Sequence, residues 1–237
     1  MKSGMGAAGV IPDEQWKVYQ RVIREARAGG IPFALGGAFA FANFTGLWRD
    51  TKDLDLYILP KDRAAMIEVL SRAGMRDYYE RLPYDRNWIY RSYSEGTIVD
   101  IIWAMANQRA VVDETWIFQG PEAGLNGERL RAIPPEEMLW AKLYIVQRDR
   151  CDWPDVLNLI YAKGDTLDWD RVIANLGPDA PLLKSALEVF GWLAPGRTRA
   201  LPRRLWERLG LPVPEPPREP EADPARVRLL DSRPWFA

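Results

Sequence analysis

The chain has 237 residues, 47% of them apolar and 27% charged, with a formal net charge of −1. This is the composition of a globular protein long enough to build a core, and the balanced charge excludes a polycation, so any nucleic-acid contact has to come from a local patch. There is no histidine and one cysteine, Cys151, which excludes His–metal sites, Ser–His–Asp triads, a disulfide framework and a Cys-rich zinc site.

No apolar run is long enough to span a bilayer. Residues 1–15 lack the apolar centre of a secretion signal. The expected location is the cytoplasm, in a reducing compartment and without a membrane partner.

Residues 13–27 read as a helix, with Trp16, Tyr19, Val22, Ile23 and Ala26 as its apolar stripe, stopped by Gly29-Gly30. A short buried strand over 31–35 leads into Gly36-Gly37. A helix of small and apolar residues follows to about 47, then a second strand over 54–59 stopped by Pro60. Residues 61–73 form an amphipathic helix ended by Gly74. Strand patterns follow at 76–81, 87–93 and 97–103, the last two joined by a Ser94-Glu95-Gly96 turn. The expected fold is α/β (α+β): a small mixed sheet with helices, followed by a helical C-terminal part.

After about residue 105 the pattern turns helical, with helices at 136–148, 153–163, 168–176 and 181–193. The expected organisation is a core over 1–105, a helical region over 106–210 and a Pro-rich, extended tail over 211–237. Trp235-Phe236 would be unusual in a free tail and is expected to dock back. Arg197, Arg199, Arg203, Arg204 and Arg208 form a basic stripe, read as a solvated face.

The chemistry concentrates between 33 and 60, in FALGGAFAFANFTGLWRDTKDLDLYILP. Asp53 and Asp55 open a strand and project from one face, because strand side chains alternate. Two carboxylates that close repel unless a cation lies between them, so a divalent metal facing a phosphate-bearing ligand is the economical reading. Gly36 and Gly37 sit between a strand and a helix, where backbone N–H groups and the helix dipole favour phosphate; tight helix–strand packing is the alternative. Asp100 lies inside the apolar run 97–103, where an unpartnered carboxylate is costly. Metal ligation, a general-base role or a salt bridge to a neighbouring arginine would each explain it.

The order Gly-Gly, helix, Arg-x-Thr-Lys-Asp-Leu-Asp-Leu and a later strand acid resembles the nucleotidyltransferase superfamily with the polymerase-β-like fold. Its spacing is most similar to the AbiEii/AbiGii toxin-type branch. Glu137 with Ala141-Lys142 resembles that branch's third motif. Residues 148–155, Arg-Asp-Arg-Cys-Asp-Trp-Pro-Asp, resemble the fourth, with one extra residue before Asp152. The glycine pair departs from the Gly-Ser common in the superfamily.

The resemblance implies that Asp53, Asp55 and Asp100 hold two Mg²⁺ ions, and that Asp100 also activates an acceptor hydroxyl. It implies that Gly36, Gly37, Arg49, Thr51, Lys52 and Lys142 contact an NTP co-substrate. The implied reaction is transfer of a nucleoside monophosphate to an RNA 3′ end, a protein side chain or a small molecule, with an antitoxin partner in the toxin-type reading. Asp152 and Asp155 are read as helix caps that pair with Arg148 or Arg150. The rival is a non-catalytic nucleotide-binding or interaction module of the same fold.

Overall fold

The computed structural model describes residues 11–215, 220–232, 235 and 236. The expected absence of a secretion signal, read from residues 1–15, falls largely outside these residues, as do residues 216–219 of the Pro-rich segment. The described residues form two compact units, one within Met1–Asn43 and Leu47–Pro134, the other within Phe44–Gly46 and Pro135–Ala237.

The first unit is built on a five-stranded sheet in the order β1-β2-β5-β4-β3: β1 Phe33–Leu35, β2 Asp53–Ile58, β3 Arg76–Asp77, β4 Ile89–Ser94 and β5 Thr97–Ile102. Only β2 and β5 run parallel; the other pairs are antiparallel. The two strands carrying the three acids are therefore interior neighbours. Along β2, Leu54, Leu56 and Ile58 are fully buried, while Asp53, Asp55 and Tyr57 alternate onto the less buried face.

Helix α1 (Asp13–Ala28) packs on α3 (Arg63–Arg72) and reaches β5. Val18, Val22 and Ile23 of α1 and Met66, Val69 and Leu70 of α3 are buried there. The nine-residue α2 (Gly37–Thr45) follows β1 directly. Helix α4 (Glu114–Phe118) packs on β1 and β2, with Trp116 stacked on Tyr57 at 5.5 Å. Its start is fixed by Asp113, whose carboxylate accepts from the backbone N–H of Thr115 and Trp116.

Where the sequence pattern reads as helical after residue 105, the fold holds a hairpin, β6 (Glu122–Leu125) with β7 (Glu128–Arg131). After it, Ala132 bridges to Leu35 in parallel and Ile133 donates to the Leu35 carbonyl, covering the outer edge of β1.

The second unit is helical: α5 (Pro135–Leu143), α6 (Trp153–Lys163), α7 (Trp169–Leu176), α8 (Ala180–Leu193), α9 (Arg203–Leu209) and α10 (Pro224–Leu230). Helix α5 packs against α6, α7 and α8. It ends five residues earlier than its pattern suggests, because Asp152 N–H donates to the Ile145 carbonyl and Val146 bridges Cys151, which folds the segment into a turn.

The tail does return. Phe236 stacks on Tyr161 at 4.4 Å and meets Phe190 edge-on. Between its described extended stretches and this contact lies α10, which the extended reading of the tail did not include. The basic stripe is largely ion-paired: Arg203 to Glu207, Arg204 and Arg208 to Asp170, Arg197 and Arg199 to Glu221. No helix among the described residues is long and apolar enough to cross a membrane.

Candidate active site

The site is set by register. Parallel pairing puts Asp55 of β2 beside Asp100 of β5, and antiparallel pairing puts Asp100 beside Arg91 of β4. Directly paired residues share a face, so Asp55, Asp100 and Arg91 form one row across three neighbouring strands. This row is flanked on one side by that of Asp53, Ile98 and Tyr93 and on the other by that of Tyr57, Ile102 and Ile89.

Asp100 is 1% exposed. The Arg91 guanidinium grips both of its oxygens: Nε donates to Oδ1 at 2.9 Å and Oδ2 at 3.2 Å, and Nη2 donates to Oδ2 at 2.5 Å. Burial pushes the Asp100 carboxyl above its ordinary pKa, the Arg91 hydrogen bonds and charge oppose this, and Asp53 adds to it. The Arg91 guanidinium is raised in turn, first by its hydrogen bonds to Asp100, with burial opposing and the charges of all three acids contributing. Of the alternatives open for Asp100, the salt bridge is the one present in these side-chain positions.

The glycines make room for the acids. A Cβ on Gly37 would lie 1.7 Å from Asp55 Oδ2, and Gly37 has φ +54°, where a side chain is strained. A Cβ on Gly36 would lie 2.2 Å from the Tyr57 ring, and Gly36 N–H donates to the Asp55 carbonyl at 2.9 Å. The pair thus seats Asp55 against the start of α2, where the positive end of the helix dipole meets the carboxylate. The Gly36 N–H already has an acceptor; the first-turn amides of α2 lack intrahelical ones.

Thr51 Oγ1 donates to Asp53 Oδ1 at 2.5 Å, and Gln15 Nε2 reaches the Thr51 carbonyl at 3.2 Å and the Tyr19 hydroxyl at 2.6 Å. Tyr19 is fully buried. Burial pushes its phenol far above the ordinary pKa; Gln15 opposes this and the negative field of Asp53, Asp55 and Asp100 adds to it. Arg49 is exposed, with its guanidinium 5.5 Å from the Phe41 ring. Lys52 is exposed, and its carbonyl accepts from Ile98 N–H at 3.2 Å.

Lys142 lies in the second unit, within a buried ion cluster. Its ammonium donates to Asp152 Oδ2 at 2.8 Å and Asp155 Oδ2 at 2.6 Å, while Arg150 donates to both oxygens of Asp152. Burial pushes the Asp152 carboxyl up, but Arg150 and Lys142 together hold it below the usual range. Glu137, the acid of the same sequence motif, is buried and ion-paired with Arg171.

Among the described residues, no group of three or more His, Cys, Asp or Glu side chains is arranged to hold a metal ion. The donor chemistry nevertheless suits Mg²⁺: hard carboxylate oxygens on one face, one of them in a cradle that a Cβ would fill.

The sequence reading did not single out Arg91, Tyr19 or Gln15 for the site. Arg91 could have been found. The two-residue turn Glu95-Gly96, with φ 52° and 78°, pairs Ser94 with Thr97 and so Arg91 with Asp100.

Residues 17–180, more than half of the chain, match a family described as uncharacterised nucleotidyltransferase. The chain belongs to this nucleotidyltransferase family. No curated protein is similar enough to count as a match. Among solved structures, this nucleotidyltransferase is similar to the antibiotic-resistance factor ANT(2'')-Ia in solution, at 18% identity over 75% of this chain and 97% of that chain with a TM-score of 0.52. It is likewise similar to ANT(2'')-Ia in complex with adenylyl-2''-tobramycin, at 15% identity over 73% and 98% with a TM-score of 0.53. The lincosamide antibiotic adenylyltransferase LnuA, lincomycin-bound, shares 16% identity over 64% and 98% with a TM-score of 0.45. At these identities the ANT(2'')-Ia likeness shows the fold: a mixed sheet with helices, followed by a helical part.

Proposed function

We propose that this nucleotidyltransferase moves a nucleoside monophosphate from an NTP to a hydroxyl acceptor in a Mg²⁺-dependent reaction. The observation that carries this reading is the single row of Asp55 and Asp100 across neighbouring strands, with Asp53 on the same face of β2 and Gly37 moulded to Asp55. Asp100 has its counter-charge in Arg91, but Asp53 and Asp55 bring two further carboxylates to the same face, which supports a cation there.

Asp53 and Asp55 would hold Mg²⁺, with Asp100 completing the set for a pair of ions. When bound, Mg²⁺ supplies positive charge to the triphosphate and the departing pyrophosphate. Thr51 fixes the rotamer of Asp53. The first-turn amides of α2, beginning at Gly37, offer donors to phosphate oxygens, with Gly36 keeping the approach open. Arg49 and Lys52 stand in the segment leading into the acids and contribute cationic charge to the phosphates. In a chain without histidine, a carboxylate is the available base, and Asp100 takes the acceptor hydroxyl proton. The new bond joins the acceptor oxygen to the α-phosphorus; the α–β phosphoanhydride breaks and pyrophosphate leaves. Lys142, a nucleotide contact by sequence resemblance, is better supported as the cation of its ion cluster.

For the acceptor, the near-zero net charge and a fold shared with a protein solved with adenylyl-2''-tobramycin support a small-molecule hydroxyl. The AbiEii-type motif likeness supports an RNA 3′ end or a protein, with an antitoxin partner. The test of the site is thermal stabilisation by Mg²⁺ with each NTP, where ligand at 100-fold over its dissociation constant adds about 2.7 kcal/mol. The shift is expected to vanish in Asp53→Ala/Asp55→Ala; an equal shift in that variant would overturn the assignment. A shift without transfer to any acceptor would instead support a non-catalytic nucleotide-binding module.

A further inference from the structure

We propose that Arg91 is an internal counter-ion that occupies Asp100 in the metal-free protein and yields it to a divalent cation, so that it sets how much cation the site needs. This rests on the proposed metal role of the three acids.

The argument is one of charge and position. Asp100 is buried and shares its row with a second carboxylate, Asp55. Like charges on neighbouring strands destabilise the sheet unless something offsets them. Arg91 does so from the other side of the same row, with three hydrogen bonds spread over both Asp100 oxygens. Among the described residues no three-acid group is arranged to hold a metal, and Asp100, on the same face as Asp53 and Asp55, has both of its oxygens engaged by Arg91.

A guanidinium and a dication compete for the same carboxylate charge. Arg91 is suited to give way. Its side chain is 33% exposed, against 2% for Asp100, so it has an outlet to water that Asp100 lacks. Its backbone is held independently, the Arg91 carbonyl accepting from Tyr78 N–H at 3.0 Å and the Tyr84 hydroxyl at 3.3 Å. Moving the side chain therefore leaves the strand in place. No metal-ligand role is assigned to Arg91; it acts through Asp100 as a positioning residue.

The test is Mn²⁺ binding to the full-length protein, read by the loss of the free Mn²⁺ electron paramagnetic resonance signal without nucleotide. Arg91→Met, which keeps the apolar stem and removes the charge, is expected to bind Mn²⁺ at least about tenfold more tightly than wild type, because a positive charge a few ångströms from the ligand carboxylate no longer competes with the cation. Arg91→Lys, which keeps the charge, should stay near wild type. Adding Asp100→Asn to Arg91→Met should cancel the gain. Melting temperature gives a second readout, with Mn²⁺ raising that of Arg91→Met by more than that of wild type. Equal or weaker binding by a folded Arg91→Met, or a gain that survives Asp100→Asn, would overturn the proposal. Wild-type binding that persists in Asp53→Ala/Asp55→Ala would instead overturn the site itself, so the two failures are distinguishable.

Discussion

Asp55 occupies the space that a Cβ on Gly37 would need, its Oδ2 lying 1.7 Å from that ideal position. The carboxylate is thereby wedged against the first turn of α2, and Gly37 carries a left-handed backbone φ of +54° that favours glycine. Gly37→Ala should cost about 1–2 kcal/mol for the left-handed backbone and displace Asp55 as well. The expected result is a folded protein with transfer activity reduced on the order of 100-fold, the cost of a small misplacement at a reacting centre. Circular dichroism and steady-state kinetics on the same preparation check both halves.

Asp100→Asn removes the charge that Arg91 grips. Breaking a fully buried pair costs about 3–5 kcal/mol; because Arg91 is one-third exposed and can turn to water, about 1–3 kcal/mol is expected here. Urea unfolding measures it. Transfer activity should fall far more than stability if Asp100 is, as proposed, both the third carboxylate and the base.

The acids of β2 were legible because strand alternation is a strict rule: Asp53 and Asp55 had to share a face, and they do. Asp100 was legible as an anomaly in an apolar run. Which group would answer it required register, and register is set by a turn rather than by periodicity. The same lesson applies to β6 and β7, whose strands are short and half-polar, yet Asn126-Gly127, with φ 46° and 86°, is a strong hairpin signal between them. Helix α10 was hidden by proline-rich surroundings, although Asp223 caps it and Pro224 takes its first position. The Lys142 cluster was half legible: the Arg150–Asp152 pair lies within one short segment, but the link from Lys142 to Asp152 and Asp155 depends on how α5 and α6 pack.

Lys142→Met leaves Asp152 and Asp155 buried with one fewer cation, and removing one partner of a buried ion pair costs about 3–5 kcal/mol. A lower melting temperature with unchanged nucleotide affinity is expected; a stable protein with weakened nucleotide binding would assign Lys142 to the phosphates.

The same cluster predicts an acid limb in stability. Asp152 has a carboxyl held below its ordinary value by Arg150 and Lys142 against the pull of burial. A depressed carboxyl contributes stability above its unfolded pKa and loses it as pH falls through that value towards the folded one. Wild type should therefore lose stability below about pH 4 more steeply than Asp152→Asn, as measured by melting temperature against pH.

Phe236→Ala removes the stack on Tyr161 and the edge contact with Phe190. Such aromatic pairs contribute about 0.5–1.5 kcal/mol beyond burial. A modest drop in melting temperature, with faster proteolysis of the tail, is expected.

The most direct measurement of the central claim is incubation with each α-³²P-labelled NTP and Mg²⁺ together with total cell RNA, total protein and a panel of small polyol and aminoglycoside acceptors, in parallel with Asp53→Ala. Label transferred to one acceptor class by the wild type and not by the variant is the predicted result, and it names the acceptor. Label absent with every nucleotide and acceptor, or equal in Asp53→Ala, would contradict nucleotidyl transfer at this site.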